Sequence, residues 1–147
     1  MQQSDKKIAF TIKKDLLQSS VQGTGRLDVF CRNGVVVLAG VVEPESPLAV
    51  EAVKIATGVE GVSRVETYFV PSQPSKVSDF TVKEKIHAKL IADGDLKAGQ
   101  VDMAVIGGHV VLVGIVDRQG KVDKIVAHAR STQGVVAVKS FLQLAGQ

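Results

Sequence analysis

The chain has 147 residues, 45% of them hydrophobic and 22% charged, with a formal net charge of +3 at pH 7. That is enough apolar material to bury a core, which excludes a disordered chain, and the length fits one ordinary domain or two small ones. A single cysteine excludes an intrachain disulfide and a cysteine-rich zinc site, while five Phe, one Tyr and no Trp leave little on which bases or sugars would stack.

The start, "MQQSDKKIAF", is polar, with no apolar signal core and no small-residue cleavage site. It fits either a cytoplasmic chain or the mature form of an exported one. No apolar run reaches the roughly 18 residues of a membrane-spanning helix. "AFTIKKDLL" (Ala9–Leu17) reads as the first helix. "RLDVFCR" alternates, with Leu27, Val29 and Cys31 to one side and Asp28, Phe30 and Arg32 to the other, as in a half-buried strand. Asn33-Gly34 supplies the two positive-φ residues of a type I′ hairpin turn. The returning "VVVLAGVV" is apolar at nearly every position, like a strand covered on both faces, and Gly40 within it predicts a bulge or a close backbone approach. Ser46 and Pro47 read as the N-cap and first residue of a second helix ending near Gly58, with Leu48, Ala52, Ala56 and Val59 as its buried stripe. "VSRVETYFV" closes the unit as a third strand.

The whole pattern then recurs. "DFTVKEKIH" (Asp79–His87) repeats Ala9–Leu17 at an offset of 70, "GGHVVLVGIV" (Gly107–Val116) repeats "NGVVVLAGVV" (Asn33–Val42) at 74, and "GVVAV" (Gly134–Val138) repeats "GVSRV" (Gly61–Val65) at 73. These offsets imply a four-residue insertion before the first strand of the second copy. Val82, Ile86 and Leu90 form one helical stripe, Gly107-Gly108 makes the second hairpin turn, and Val122, Ile125, Val126 and Ala129 form the stripe of the last helix. The predicted fold is α+β: two αββαβ domains, each a three-stranded sheet with two helices on one face. The predicted boundaries are an N-terminal tail at 1–9, a first domain at 10–70, a Pro- and Ser-bearing linker at 71–79 and a second domain at 80–145.

An amphipathic helix, a hairpin returning through "GVVVLAG" or "GHVVLVG", a second helix and a closing "GVSRV" or "GVVAV" together resemble the BON domain (bacterial OsmY and nodulation). The resemblance covers nearly the whole chain. It implies small modules, usually exported and often in tandem, that associate with phospholipid surfaces and support envelope integrity or osmotic stress tolerance. It implies a periplasmic location, no enzymatic activity and no cofactor. The only cysteine, Cys31, lies inside a strand and not in a lipobox. Similar modules in potassium-responsive cytosolic proteins supply the second reading, a cytoplasmic binding or scaffold protein.

Residues shared by both copies speak for the fold, and residues found in one copy speak for use. The first copy, Met1–Gln73, has eight basic and eight acidic residues, whereas Pro74–Gln147 has ten basic and seven acidic residues and all three histidines. On the offsets above, Lys85 and Lys89 replace Asp15 and Ser19, and Lys121, Lys124 and His128 replace Leu48, Glu51 and Ile55. Lys83 flanks the Val82–Ile86–Leu90 stripe on one side, Lys85 and Lys89 on the other, while Lys121, Lys124 and His128 share one face of the last helix. The six residues Lys83, Lys85, Lys89, Lys121, Lys124 and His128 are therefore the candidate contacts to an anionic phospholipid surface, to which the second copy is expected to bind and the first is not. A protein partner in the envelope is compatible with this reading. Nucleic acid is not expected, for want of base-reading groups. Leu48 and Ile55 in the first copy either widen its core or meet another surface.

Catalysis has no constellation to rest on. Cys31 falls on the same strand side as Leu27 and Val29, as an inert buried thiol would. The histidines 87, 109 and 128 lack ligand spacing and have no acidic cluster beside them, so no metal site is expected. Gly107-Gly108 joins two strands and does not open a helix, so it is no phosphate loop. Asp93 and Asp95 read as capping and solubilising residues.

Overall fold

The computed structural model describes residues 4–71 and 78–145, and the chain forms two compact units, Met1–Ser72 and Gln73–Gln147. In the first, α1 (Asp5–Leu17) is followed by a 3-10 turn (Thr24–Arg26), β1 (Asp28–Arg32), β2 (Val35–Val41), α2 (Pro47–Thr57) and β3 (Arg64–Val70). The second repeats the order as α3 (Asp79–Ala92), a 3-10 turn (Ala98–Gln100), β4 (Val101–Ile106), β5 (His109–Val116), α4 (Gln119–Arg130) and β6 (Ala137–Leu144). Both units are thus the αββαβ fold expected. The first helix begins at Asp5, inside the stretch read as a tail, and six residues of the linker, 72–77, lie outside the described residues.

Each sheet is mixed. β2 pairs antiparallel with β1 and parallel with β3, and β5 does the same with β4 and β6. The antiparallel pair needs only a two-residue turn, whereas the parallel pair needs a crossover, which α2 or α4 provides. The turn residues Asn33 and Gly34 have φ of 55° and 77°, and Gly107 and Gly108 have 56° and 82°, the type I′ geometry that the sequence demands. In β2, five consecutive residues from Val35 to Ala39 are buried, so this central strand is covered on both faces.

Both helices of a unit pack on one sheet face. Ile8, Ile12 and Leu16 of α1 and Ala49, Ala52 and Ala56 of α2 meet Val36 and Leu38, with Leu27 and Cys31 completing the core. In the second unit Val82, Ile86 and Leu90 meet Met103, Val110, Leu112, Ile125 and Ala129. Ser46 caps α2 by accepting from Ala49 N, with Pro47 behind it, as expected; Ser4 and Ser78 cap α1 and α3 in the same way. Leu48 and Ile55 pack against the core, so they widen it.

One expectation is corrected. The caps Ser4 and Ser78, the carboxylates Asp5 and Asp79, and the stripes Ile8–Ile12–Leu16 and Val82–Ile86–Leu90 all correspond at an offset of 74, not 70. The four-residue insertion therefore does not exist. Offsets of 70 and 74 differ by one i to i+4 step, so an apolar stripe aligns under either and cannot tell them apart. On the true register Lys85 corresponds to Thr11, Lys89 to Asp15 and His87 to Lys13.

The decisive register marks are Asp5 and Asp79. Asp5 accepts hydrogen bonds from Asn33 N at 2.8 Å and Gly34 N at 3.0 Å, and Asp79 accepts from Gly107 N at 2.9 Å and Gly108 N at 3.0 Å. A carboxylate in the first helical turn so pins the hairpin turn in each unit, while its charge also suits the helix N-terminus. Burial opposes the charge on Asp5, but the Asn33 and Gly34 amides and the Cys31 thiol outweigh it and hold its pKa below the ordinary value.

Cys31 is buried with its Sγ 3.4 Å from Asp5 Oδ1. Burial, then the neighbouring carboxylate, pushes its pKa to about 12, so the thiolate is scarce at neutral pH. The native chain at pH 8 is expected to react with a thiol reagent on the order of a hundredfold more slowly than the denatured chain, a ratio set by thiolate scarcity and burial. Equal rates would show an exposed, activated thiol.

Candidate functional site

The outer face of α3 is the first place where predicted residues stand free. Lys83 and Lys85 are exposed on opposite flanks of the buried stripe and form no ion pair among the described residues. Phe80 and Ile91, which the sequence reading passed over, are 72% and 63% exposed. At 3.6 residues per turn they project within roughly 20° of each other, with Glu84 and His87 between them. Their signal was present in the sequence: two large apolar residues opposite a stripe already complete without them.

The other four predicted residues are engaged inside the unit. Lys89 reaches the C-terminal end of α4, its Nζ donating to Thr132 Oγ1 at 2.9 Å, Ser131 Oγ at 3.1 Å and His128 O at 3.4 Å. Here a cation satisfies terminal groups at the negative end of a helix. His128 Nε2 lies 2.9 Å from Asp93 Oδ2, and Lys124 Nζ lies 3.5 Å from Asp93 Oδ1 and 3.4 Å from Asp95 Oδ2. Arg118 Nη2 sits 2.8 Å from both oxygens of Asp95. Lys121, only 16% exposed, pairs with Asp117 at 3.0 Å.

This network ties the loop after α3 to α4. The hydrogen bond from His128, then the Asp95 amide and the Lys124 charge, lower the Asp93 pKa to about 2. Lys121 likewise holds Asp117 below the ordinary carboxylate value. The matching seam of the first unit is apolar, with Leu48 and Ile55 against the core where the second unit has Lys121 and His128. The basic residues of α4 therefore came with acidic partners: Asp117 for Lys121, Asp93 for His128. Asp93 and His128 are 35 positions apart, and nothing in their local patterns announces that they meet.

Among the described residues no group of three or more His, Cys, Asp or Glu side chains is placed to hold a metal ion, and no helix is long and apolar enough to cross a membrane. An open groove of about 590 Å³ runs between α2 and β3, lined by Val50, Val53, Tyr68, Phe69 and Glu45 among others. Its lining is mostly apolar.

The two units are a tandem of one αββαβ fold, each with its hairpin turn pinned by a carboxylate of the first helix. The BON domain family model matches residues 4–70 and 78–146, and the chain belongs to this family, carrying two copies of the domain. It is similar to osmotically-inducible protein Y of Escherichia coli (strain K12), 36% identical over 115 residues, covering 74% of this chain and 57% of that protein. It is also similar to the outer membrane lipoprotein DolP of Haemophilus influenzae, 34% identical over 114 residues, with 74% of this chain and 56% of DolP covered. The 21 kDa hemolysin of Actinobacillus pleuropneumoniae is 25% identical over 135 residues, covering 89% of this chain and 67% of the hemolysin. The chain thus spans a little over half the length of the first and second of these relatives.

Proposed function

We propose that this chain is a non-enzymatic module of the bacterial cell envelope that associates reversibly with anionic phospholipid surfaces and contributes to envelope integrity or osmotic tolerance. The names of two relatives, one osmotically inducible and one an outer membrane lipoprotein, support the compartment and the process. The observation that carries the lipid reading is the α3 face, where Phe80 and Ile91 stand exposed between the exposed Lys83 and Lys85. Apolar side chains enter the head-group layer while lysine stems extend toward phosphate. Within this reading Lys83 and Lys85 are lipid contacts. Lys89, Lys124 and His128 serve the α3–α4 seam and Lys121 the start of α4, because using them on lipid would first require breaking the Lys89 hydrogen bonds to Ser131 and Thr132 and the pairs with Asp93, Asp95 and Asp117.

A lysine near an anionic surface contributes about 1 kcal/mol, so the association is weak and fades with salt. Full-length chain is expected to co-sediment with vesicles containing phosphatidylglycerol at low salt, and not with pure phosphatidylcholine vesicles. Lys83→Glu with Lys85→Glu should lower the partition coefficient by at least about tenfold, given that per-lysine contribution. Equal partition onto both vesicle types would contradict the proposal.

A further inference from the structure

The charge totals of the two copies conceal a second surface. The first copy sums to zero, yet its acids are not on α1's outer face. On that face Phe10 and Leu17 are 69% and 66% exposed; Leu17 is the counterpart of Ile91, and Phe10 stands where α3 has Glu84. They are seven residues apart, so they project within roughly 20° of one another and about 10 Å apart along the axis. Lys6, Lys7 and Lys14 surround them, all exposed and none in an ion pair among the described residues.

The acidic residues of the helix are diverted. Asp5 is held by the Asn33 and Gly34 amides, and Asp15 lines a depression toward α2 with Thr11, Gly58 and Glu60, at whose edge the exposed Lys7 also stands. Lys13, on the remaining flank, donates to Gly25 O at 2.8 Å and to Leu27 O, anchoring the start of β1. The outward third of α1 is thus two large apolar side chains ringed by exposed lysines. On α3 the same arc holds Glu84 between its apolar residues and has lysines only on its flanks.

We infer that α1 of the first unit is an anionic-lipid docking face, and the stronger of the two, with Phe10 and Leu17 entering the head-group layer and Lys6, Lys7 and Lys14 meeting phosphates. This rests on the reading that the chain meets an anionic phospholipid surface, and it reverses the expectation, drawn from charge totals, that the first copy stays off the membrane. A cationic ring selects an anionic partner, and the exposed Phe and Leu suit a surface with an apolar layer beneath its charges. A bare polyanion has no such layer.

The test uses the full chain and vesicles of phosphatidylglycerol mixed with phosphatidylcholine. Three lysines at roughly fivefold each predict that Lys6→Glu, Lys7→Glu and Lys14→Glu together weaken partition by about a hundredfold, more than reversal of Lys83 and Lys85 does. Phe10→Ser with Leu17→Ser should weaken it at least about tenfold while leaving the salt dependence intact, because only inserted apolar area is lost. Hydrogen exchange of the unaltered chain supplies a readout that no substitution can compromise: amides of Asp5–Leu17 should be further protected by anionic vesicles. If the chain binds but neither α1 variant differs from it by more than about twofold and α1 gains no protection, the inference fails and the lipid reading stands, with each lost lysine having been expected to cost about fivefold. If the unaltered chain binds no anionic vesicle, both fall. Equally tight binding to duplex DNA, with the same loss on Phe10→Ser and Leu17→Ser, would overturn the choice of lipid.

Discussion

Gly114→Ala is expected to unfold much of the second unit. A Cβ at this β5 position would lie far inside van der Waals contact with the carbonyl oxygen of Gln100, and only 3.3 Å from Val101 Cα. These are backbone atoms at the start of β4, whose pairing with Gly114 fixes the register of the strand, so relief requires moving the ladder itself. Overpacking a core costs about 1–3 kcal/mol, and a backbone clash of this kind falls at or above the upper end. For a unit of this size that is a fall in Tm on the order of 12 °C or more. Gly40→Ala in β2 should be milder, about 1–2 kcal/mol, because its new Cβ meets Leu27 Cδ2 at 2.5 Å, the far end of a side chain. Gly120, with nothing within 4 Å, is the control: alanine there should be neutral or stabilise α4 by up to about 1 kcal/mol. Thermal unfolding of the three variants checks the order, and an unchanged Tm for Gly114→Ala would contradict it.

Removing the carboxylate that pins each hairpin turn comes next. Asp79→Ala leaves the Gly107 and Gly108 amides without their acceptor, and a hydrogen bond to a charged group is worth about 1.5–3 kcal/mol. The expected loss is about 2–4 kcal/mol in the second unit, and Asp5→Ala should do the same in the first. For Asp5 the pH dependence has a definite sign. Its folded pKa lies below the unfolded value of 3.8, so its contribution is complete above that value and disappears as pH falls through the folded one. Asp5→Asn should therefore flatten the acid limb of the stability curve below pH 4 while lowering stability at neutral pH. A variant with the same acid limb as the unaltered chain would show that the Asp5 charge adds nothing.

Most of the fold is legible in the residues because both copies write it with strong local signals. Asn33-Gly34 and Gly107-Gly108 fix the turns, Ser46-Pro47 fixes a helix start, and the apolar density of Val35–Ala39 identifies the central strand. What the chain hides is what depends on a one-turn ambiguity or on long-range pairing. The stripe of α1 slides by four residues without penalty, and only the Ser4-Asp5 and Ser78-Asp79 pairs, read with their turn partners, remove the slip. The glycine question was open between a bulge and a close approach; unbroken ladders across Gly40 and Gly114 decide for the close approach.

The surface was harder to read. Totals of charge by copy point to both helices of the second unit, yet on α4 Lys121, Lys124 and His128 are one half of a set of internal pairs; Asp117 lies one i,i+4 step from Lys121, whereas Asp93 and Asp95 lie in a loop that no helical spacing connects to Lys124 and His128. The same totals drew attention from α1, whose cations are balanced by acids located elsewhere in the unit. Exposure of individual side chains, which the sequence does not state, separates a free lysine from a paired one.

Backbone amide chemical shifts of the full chain, followed as anionic bicelles are added, locate the lipid-facing surface residue by residue. Shifts and line broadening are expected only on the outer faces of α1 and α3, strongest near Phe10, Leu17, Phe80 and Ile91, and abolished by high salt or by zwitterionic bicelles. Perturbations centred on Lys121, Lys124 and His128 of α4, or none anywhere, would contradict this expectation.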